Sequence, residues 1–521
     1  MILSRTVGAA LVLATLLAVF VALRPLVPVD ETRYLAVAWE MRLSGDWFHL
    51  TRNFEIYAHK PPLLFWAINL VWGITGVHEF PARLVGPAFG VSLAVAAAGL
   101  GRRLWTGDAG IGARAVTVLA GFTVFLIYAS TTMFDAMLGL AAVLGAAVLW
   151  RIGQGGAGLR HWVAFGGALA FGTLAKGPVI FVHLLPVLLT MRLWAPVPPR
   201  LRDQLAGLGL AVAAGLAIVG LWLVPALVAG TAEFRRELLW TQSAARVAGG
   251  LAHDRPVWFF LALLPILLFP WGWSARLWRR IGECVRADPA ARMLAIWAVS
   301  AVVLFSFISG KQTHYLLPEY PAVALLVARA LPGLYGARAW RAAALVPFGA
   351  ALAACAVAAG FVPAARDFAA AAPGWFLPVV AVGCLGLAVA VLLLPRPANA
   401  ALAGAGMALA AHVFLATGGL TSQYDSAAIV ARIDTARDRG IAVAAMTYSA
   451  EFNFGARLTA PVATPKTPAA LRDWSVAHPG GLVLGPVGRV PVDVPPAETI
   501  RYNGLDLGLW PAGTVAVSVR E

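Results

Sequence analysis

Charge is scarce in this chain. Only 12% of its 521 residues are Asp, Glu, Lys or Arg, against 60% that are hydrophobic, which leaves too little polar surface to solvate a soluble protein of this length. Cysteine is rarer still. Cys284, Cys355 and Cys384 have no ligand-like spacing and two of them lie inside apolar runs, so neither a disulfide framework nor a cysteine metal site can be built from them. Walker-type phosphate loops, DxD-like metal motifs, repeats at a solenoid period and low-complexity tracts are all missing. Nucleotide handling by those devices, and repeat architectures, are thereby excluded.

What the chain has instead is a series of apolar runs, each about 16 to 24 residues long, the length needed to cross ~30 Å of hydrocarbon. This describes a polytopic membrane protein. The net charge of +15 does not point to nucleic acid, because Lys and Arg are scattered between the runs and form no soluble basic face. The first run, Thr6 to Leu23, has no convincing small-residue cleavage site and is read as a retained span. Pro61 to Gly76 carries an apolar stripe (Leu63, Trp66, Ala67, Leu70, Val71, Ile74) but is short and Trp-bearing, which suits a helix lying on the membrane surface.

With that helix kept out of the count, about thirteen spans follow. The topology then places Arg102, Arg103, Arg114, Arg151, Arg160, Arg192, Arg200, Arg202, Arg276, Arg279, Arg280, Arg286, Arg292, Arg338, Arg341 and Arg396 on the cytoplasmic side. Had the Pro61 segment spanned, these Arg-rich loops would face outward. Residues 1–420 are thus read as the transmembrane domain with an outward loop over 24–82, and 421–521 as a small outward α/β domain. In the latter, Tyr424 to Arg437 reads as a helix, and Ile441 to Thr447, Gly481 to Leu484 and Thr514 to Val519 as strands.

The polar clusters fall almost entirely on the outward face. Asp30, Glu31, Arg33 and Tyr34 follow the first span, with Asp30 and Arg33 on one face if the segment is helical. A carboxylate at the lipid boundary suits a general base acting on a hydroxyl, although a solvated rim has the same composition. Asp135 adds a second acid on that face, where a helix cap is the plainer reading. Lys60, Lys176 and Lys311 are the only lysines before Lys466, and all three face outward, against the positive-inside bias. Pairing with acids explains them; so does a lipid phosphate, with Arg246 and Arg255 from the Gly230 to Pro256 loop as further donors. His59, His253 and His314 leave a divalent metal open, but without ligand spacing they suit hydrogen bonding better. Tyr315 and Tyr320 can meet a phosphate or a sugar, or belong to the interfacial aromatic belt.

Seven segments carry a resemblance: DETRYLAVAWEMRLSGDW (30–47), HKPPLLFW (59–66), EFPARL (79–84), FDAML (134–138), LAKGP (174–178), HDRPVWFF (253–260) and KQTHYLLPEYP (311–321). In these the chain resembles the bacterial branch of the protein O-mannosyltransferase superfamily, in particular the lipid A 4-amino-4-deoxy-L-arabinose transferases. The segments occur in family order and cover the membrane region, whereas the C-terminal domain matches only in placement. The resemblance implies a GT-C fold and an inner-membrane glycosyltransferase whose periplasm-facing site takes a sugar from undecaprenyl phosphate to an acceptor such as lipid A. It implies catalytic acids at Asp30 and Asp135, and donor-phosphate contacts from Arg33, Lys60, Tyr315 and either Arg246 or Arg255, with Lys311 among the candidate cations. Glu31, His59 and His253 are candidates for acceptor or metal contact; His59 stands where the family often has Glu. No nucleotide is needed, a divalent metal is the one cofactor left open, and no nucleic-acid partner is expected. The competing reading is a transporter or flippase, which would place charges at the bilayer midplane and often show repeated halves.

Overall fold

A computed structural model describes residues 2–238, 255–334, 338–394, 396–417 and 421–520. The chain divides into two compact units. One comprises 1–23, 58–64 and 79–414; the other comprises 24–57, 65–78 and 415–521.

The first unit is a helical bundle. Among the described residues, nine helices are long and apolar enough to cross a membrane: Arg5–Ala22, Glu79–Leu104, Asp135–Gly153, Leu159–Leu189, Leu201–Ala229, Pro289–Phe307, Ala339–Ala358, Phe376–Leu393 and Pro397–Ala416. A tenth arises if Ile111–Leu119 and Thr123–Ala129, bent by 78°, count as one. The count falls below the expected thirteen for local reasons. Residues 257–275 form only the short helix Phe259–Leu267, with Pro265 inside it, followed by a 3-10 turn at Trp271–Trp273. Residues 315–332 are split between a 3-10 helix, Thr313–Glu319, and the helix Tyr320–Ala330. Pro removes a backbone donor and clashes with the preceding turn, so these apolar runs break where hydropathy alone reads them as continuous. The two spans read at 162–175 and 178–191 are present as the helices Leu159–Lys176 and Ile180–Leu189, separated by the turn at Gly177, where the chain folds back so that Ile180 packs on Gly172; as an apolar stretch they count once, as Leu159–Leu189.

Side chains of the bundle sort by what they meet. Leu13, Leu17, Phe20, Trp271, Trp297 and Trp340 are buried, whereas Leu221 and Val228 are 76% and 75% exposed. Apolar groups left that bare on a helix of 29 residues belong against lipid. The segment Leu63–Thr75 is a helix of 13 residues, about 20 Å long and too short to cross.

The second unit holds a four-stranded sheet in the order β3-β4-β6-β5, from Ile441–Val443 (β3), Leu482–Pro486 (β4), Glu498–Tyr502 (β5) and Leu505–Pro511 (β6). β3 and β4 are parallel; the other pairs are antiparallel. The hairpin β5–β6 turns on Asn503-Gly504, both at positive φ (47° and 78°), the geometry that matches the twist of paired strands. The expected helix is present as Ala427–Ala436. Thr514 to Val519, expected as a strand, lies mostly in the helix Ala512–Ser518 instead. Ala512 and Val515 are its buried residues, three apart, so helical spacing and not alternation seats this segment.

The charged stretch is no open loop. Asp30–Ser44 forms a helix that buries Tyr34, Leu35, Ala38 and Met41 and ends at a left-handed Gly45. A two-stranded ribbon follows, Thr51–Arg52 (β1) with Glu55–Ile56 (β2). Glu40 accepts the backbone N–H groups of Asn53 and Phe54, both at 2.8 Å. Asn53 in turn exchanges two 2.8 Å hydrogen bonds with the backbone of Val462. This buried polar network explains why 24–57 group with the C-terminal residues.

Candidate active site

In the bundle, the helix Asp135–Gly153 begins on an acid. Asp135 is no N-cap: Phe134 occupies that position, and the Asp135 carboxylate is 2% exposed and paired through Oδ1 with Lys176 Nζ at 2.5 Å. Lys176 closes the helix Leu159–Lys176, and Gly177 follows at φ 77°, ψ −161°, a conformation open essentially to glycine alone. That sharp departure presents the ammonium at the helix end. Lys176 Nζ also lies 4.8 Å from the Tyr315 ring centroid, and Lys60 Nζ lies 5.5 Å from that of Phe134. Lys176, His314 and Lys60 are the positive neighbours whose fields act on Asp135.

The 3-10 helix Thr313–Glu319 supplies the remaining wall. His314 and Tyr315 stack edge to face at 4.9 Å, Tyr128 sits 5.5 Å from His314, and the Tyr128 hydroxyl hydrogen-bonds Thr313. Among the described residues, Asp135 Oδ2 has no hydrogen-bond partner. A buried carboxylate oxygen keeps its capacity to accept a hydrogen bond, so Oδ2 is the atom of this pair that can receive a donor group.

The other cations are used differently. Lys311 is buried and donates to the Arg255 carbonyl at 2.7 Å, while the Arg255 N–H bonds Ser309 at 3.1 Å. The Arg255 guanidinium is exposed and lies 5.9 Å from the Phe259 ring. Lys311 thus braces the backbone from which Arg255 projects. Tyr320, a candidate from sequence, is enclosed in the core and donates to the Leu267 carbonyl at 2.7 Å. Arg246 and His253 lie outside the described residues.

In the second unit, Asp30 opens its helix, as an acid at a positive helix end should. Arg33 pairs with Asp30, and the Tyr34 hydroxyl donates to Asp30 Oδ1 at 3.0 Å. The helical spacing expected for Asp30 and Arg33 therefore holds. Burial raises the Tyr34 and Tyr57 phenols above their ordinary range, so both stay protonated and Tyr34 keeps the proton it donates to Asp30. Burial also opposes the Arg33 charge, but Tyr57, Tyr34 and Asp30 outweigh it and hold the guanidinium firmly protonated. Glu31 turns away to a buried pair with Arg24, reinforced by the Val27 N–H at 3.1 Å.

Tyr57, Tyr128, Thr313 and Glu451 were not singled out from sequence. Burial raises the Glu451 carboxyl above the ordinary range, and Arg52 and Arg33 pull it back down. The signal for Tyr57 was present, since it lies three residues before Lys60. Tyr128 and Glu451 carried none, being single polar residues in apolar or loop sequence. Among the described residues no group of three or more His, Cys, Asp or Glu side chains is arranged to hold a metal ion.

Comparison with known proteins places this geometry. Residues 59–223 match the family described as dolichyl-phosphate-mannose-protein mannosyltransferase. A relative from Pseudomonas paraeruginosa, named undecaprenyl phosphate-alpha-4-amino-4-deoxy-L-arabinose arabinosyl transferase, is 31% identical over 311 residues, covering 58% of this chain. One of the same name from Erwinia tasmaniensis is 27% identical over 339 residues, covering 60%. The chain spans only 55% and 58% of the length of these two relatives. Crystal structures of ArnT from Cupriavidus metallidurans superpose with TM-scores of 0.78 in the apo state and 0.75 bound to undecaprenyl phosphate. Each is 24% identical, with 98% of both chains covered. The chain therefore shares its fold with ArnT, and over residues 59–223 its sequence matches the dolichyl-phosphate-mannose-protein mannosyltransferase family.

Proposed function

We propose that this protein is an inner-membrane glycosyltransferase that moves a sugar from a polyprenyl phosphate to a hydroxyl of an envelope acceptor, with 4-amino-4-deoxy-L-arabinose and lipid A the pair its relatives' names favour. The observation that carries this reading is Asp135 Oδ2, buried and without a partner among the described residues, in a cluster with Lys176, Lys60 and Tyr315. A transporter has no need of such a cluster at one rim of its helices.

In the reaction, the bond between the anomeric carbon and the phosphate oxygen breaks, and its electron pair leaves with the phosphate. Lys60 and Arg255 or Arg246 neutralise the charge that develops there, and Tyr315 donates to a phosphate oxygen; a share for Arg33 in that task is what the family resemblance implies. The acceptor oxygen attacks the anomeric carbon with inversion, and Asp30 takes its proton. Arg33 and the Tyr34 hydroxyl orient the Asp30 carboxylate for that task. Asp135 holds the sugar or acceptor through its open oxygen, while Lys311 and Glu31 act as braces. His59 and His253 remain the candidates for acceptor contact. Residues 421–521 form a domain on the periplasmic side, the placement that the positive-inside pattern supports. Activation resides in the polyprenyl phosphate, so no nucleotide is required.

The experiment is transfer by purified protein supplied with undecaprenyl phosphate-aminoarabinose and lipid A, read as free undecaprenyl phosphate and modified lipid A. Asp30→Asn should abolish both products while the protein still inserts and folds. Release of neither product by the wild type with any polyprenyl-phosphate sugar would overturn the assignment.

A further inference from the structure

The helix Ala275–Ala287 carries Arg276, Arg279, Arg280 and Arg286 against a single acid, Glu283, which pairs with Arg280 at 2.8 Å. Leu277 and Ile281 are buried while Arg276, Trp278 and Arg279 are exposed. A basic helix with an apolar face and a Trp at the boundary is built to lie at a membrane interface. Two cavities adjoin it, one of about 360 Å³ and one of about 490 Å³. Leu264, Leu268 and Trp278 line both, so the two meet across these side chains.

The larger-scale polarity of the first cavity sets a direction. Glu319, Tyr320, Val323 and Leu326 line it in helical steps. The wall thus runs from a carboxylate at one end toward the turn Leu331–Leu334, which packs against the basic helix. Glu319 is 3% exposed, is bonded to His183 Nδ1 at 2.5 Å, and its Oε2 has no partner among the described residues. The rest of the lining is apolar, and Val299 and Leu261, one in each wall, are 60% and 67% exposed, so both cavities open toward hydrocarbon.

We propose that the two cavities hold the two acyl chains of an anionic glycerophospholipid whose phosphate is gripped by Arg276 and Arg279, one helical turn apart. Two apolar cavities joined at Trp278 fit a lipid with two chains. The arginines draw a phosphate to the basic helix, at the end of the first cavity away from Glu319. The site would hold the short Phe259–Leu267 helix against Pro289–Phe307 and is independent of the transfer reaction.

The test is native mass spectrometry of the full-length protein in micelles with phosphatidylglycerol or phosphatidylcholine of matched chains. The wild type should retain one phosphatidylglycerol and far less phosphatidylcholine. Arg276→Gln with Arg279→Gln should weaken retention about thirty-fold, from the usual contribution of a basic residue near an anionic lipid surface. Val299→Trp, which fills the cavity without touching charge, should also lose the lipid; it decides the matter if the arginine variant fails to insert. Equal retention of both lipids, or unchanged retention in either folded variant, would overturn the proposal. So would displacement of phosphatidylglycerol by polyprenyl phosphate, which would assign the cavities to the donor.

Discussion

The Asp135–Lys176 pair is where removal of one side chain should be most costly. Asp135 is 2% and Lys176 13% exposed, with Nζ and Oδ1 2.5 Å apart, so neither charge has water to fall back on. Lys176→Met keeps most of the side-chain volume but leaves the carboxylate uncompensated, a change that costs about 3–5 kcal/mol at a buried pair. The cation–π contact to Tyr315 is lost as well, worth about 0.5–2 kcal/mol and partly overlapping with the first loss. Lys60 and His314 still act on Asp135, which places the expected loss toward the lower bound of the range. Asp135→Asn with Lys176→Met carries no buried charge and should recover most of the stability, yet it should not recover transfer. The assay is a double-mutant cycle by reversible denaturation in mixed micelles, run beside the transfer assay. A Lys176→Met variant within 1 kcal/mol of wild type would refute the electrostatic reasoning. So would a double variant as unstable as the single one.

Other outcomes follow from the second unit. Tyr34→Phe removes the 3.0 Å donor to Asp30 and should lower kcat about ten-fold with little change in thermal midpoint, since one hydrogen bond to a charged group is worth about 1.5–3 kcal/mol. An unchanged kcat would detach Tyr34 from the mechanism. Glu451 has a folded pKa raised by burial, so its contribution to stability is full below its unfolded value and declines as pH rises through the folded one. Glu451→Gln should therefore raise the thermal midpoint at pH 7 and give no gain near pH 4; the same gain at both pH values would count against burial as the cause. Gly504→Ala, at φ 78° in the β5–β6 turn, should cost about 1 kcal/mol, read as a lower midpoint without loss of insertion.

Much of the bundle was legible because spanning is a one-dimensional property. A helix rises 1.5 Å per residue, so length and hydropathy suffice for Leu201–Ala229 or Phe376–Leu393. The same logic failed where Pro265 and Pro318 sit inside apolar runs, because hydropathy does not register a lost backbone donor. In the C-terminal residues the hairpin is marked by the Asn503-Gly504 pair and not by alternation, while Thr514 to Val519 alternates without being a strand.

The candidate residues were legible as charges in a chain with few of them; their partners were not. Sequence alone determined that this is a multi-pass membrane protein whose few acids and lysines stand out between its apolar runs, since solvation cost makes every charge near hydrocarbon conspicuous. Only the tertiary structure decided that Asp135 is answered by Lys176, 41 residues away, and that Lys311 braces Arg255 instead of standing free. It also decided that Glu40 reaches across 413 residues to Asn453, drawing the charged stretch into one unit with the C-terminal residues. A side chain's type records what it can bond to, whereas packing alone selects which of several chemically equal partners comes within 3 Å.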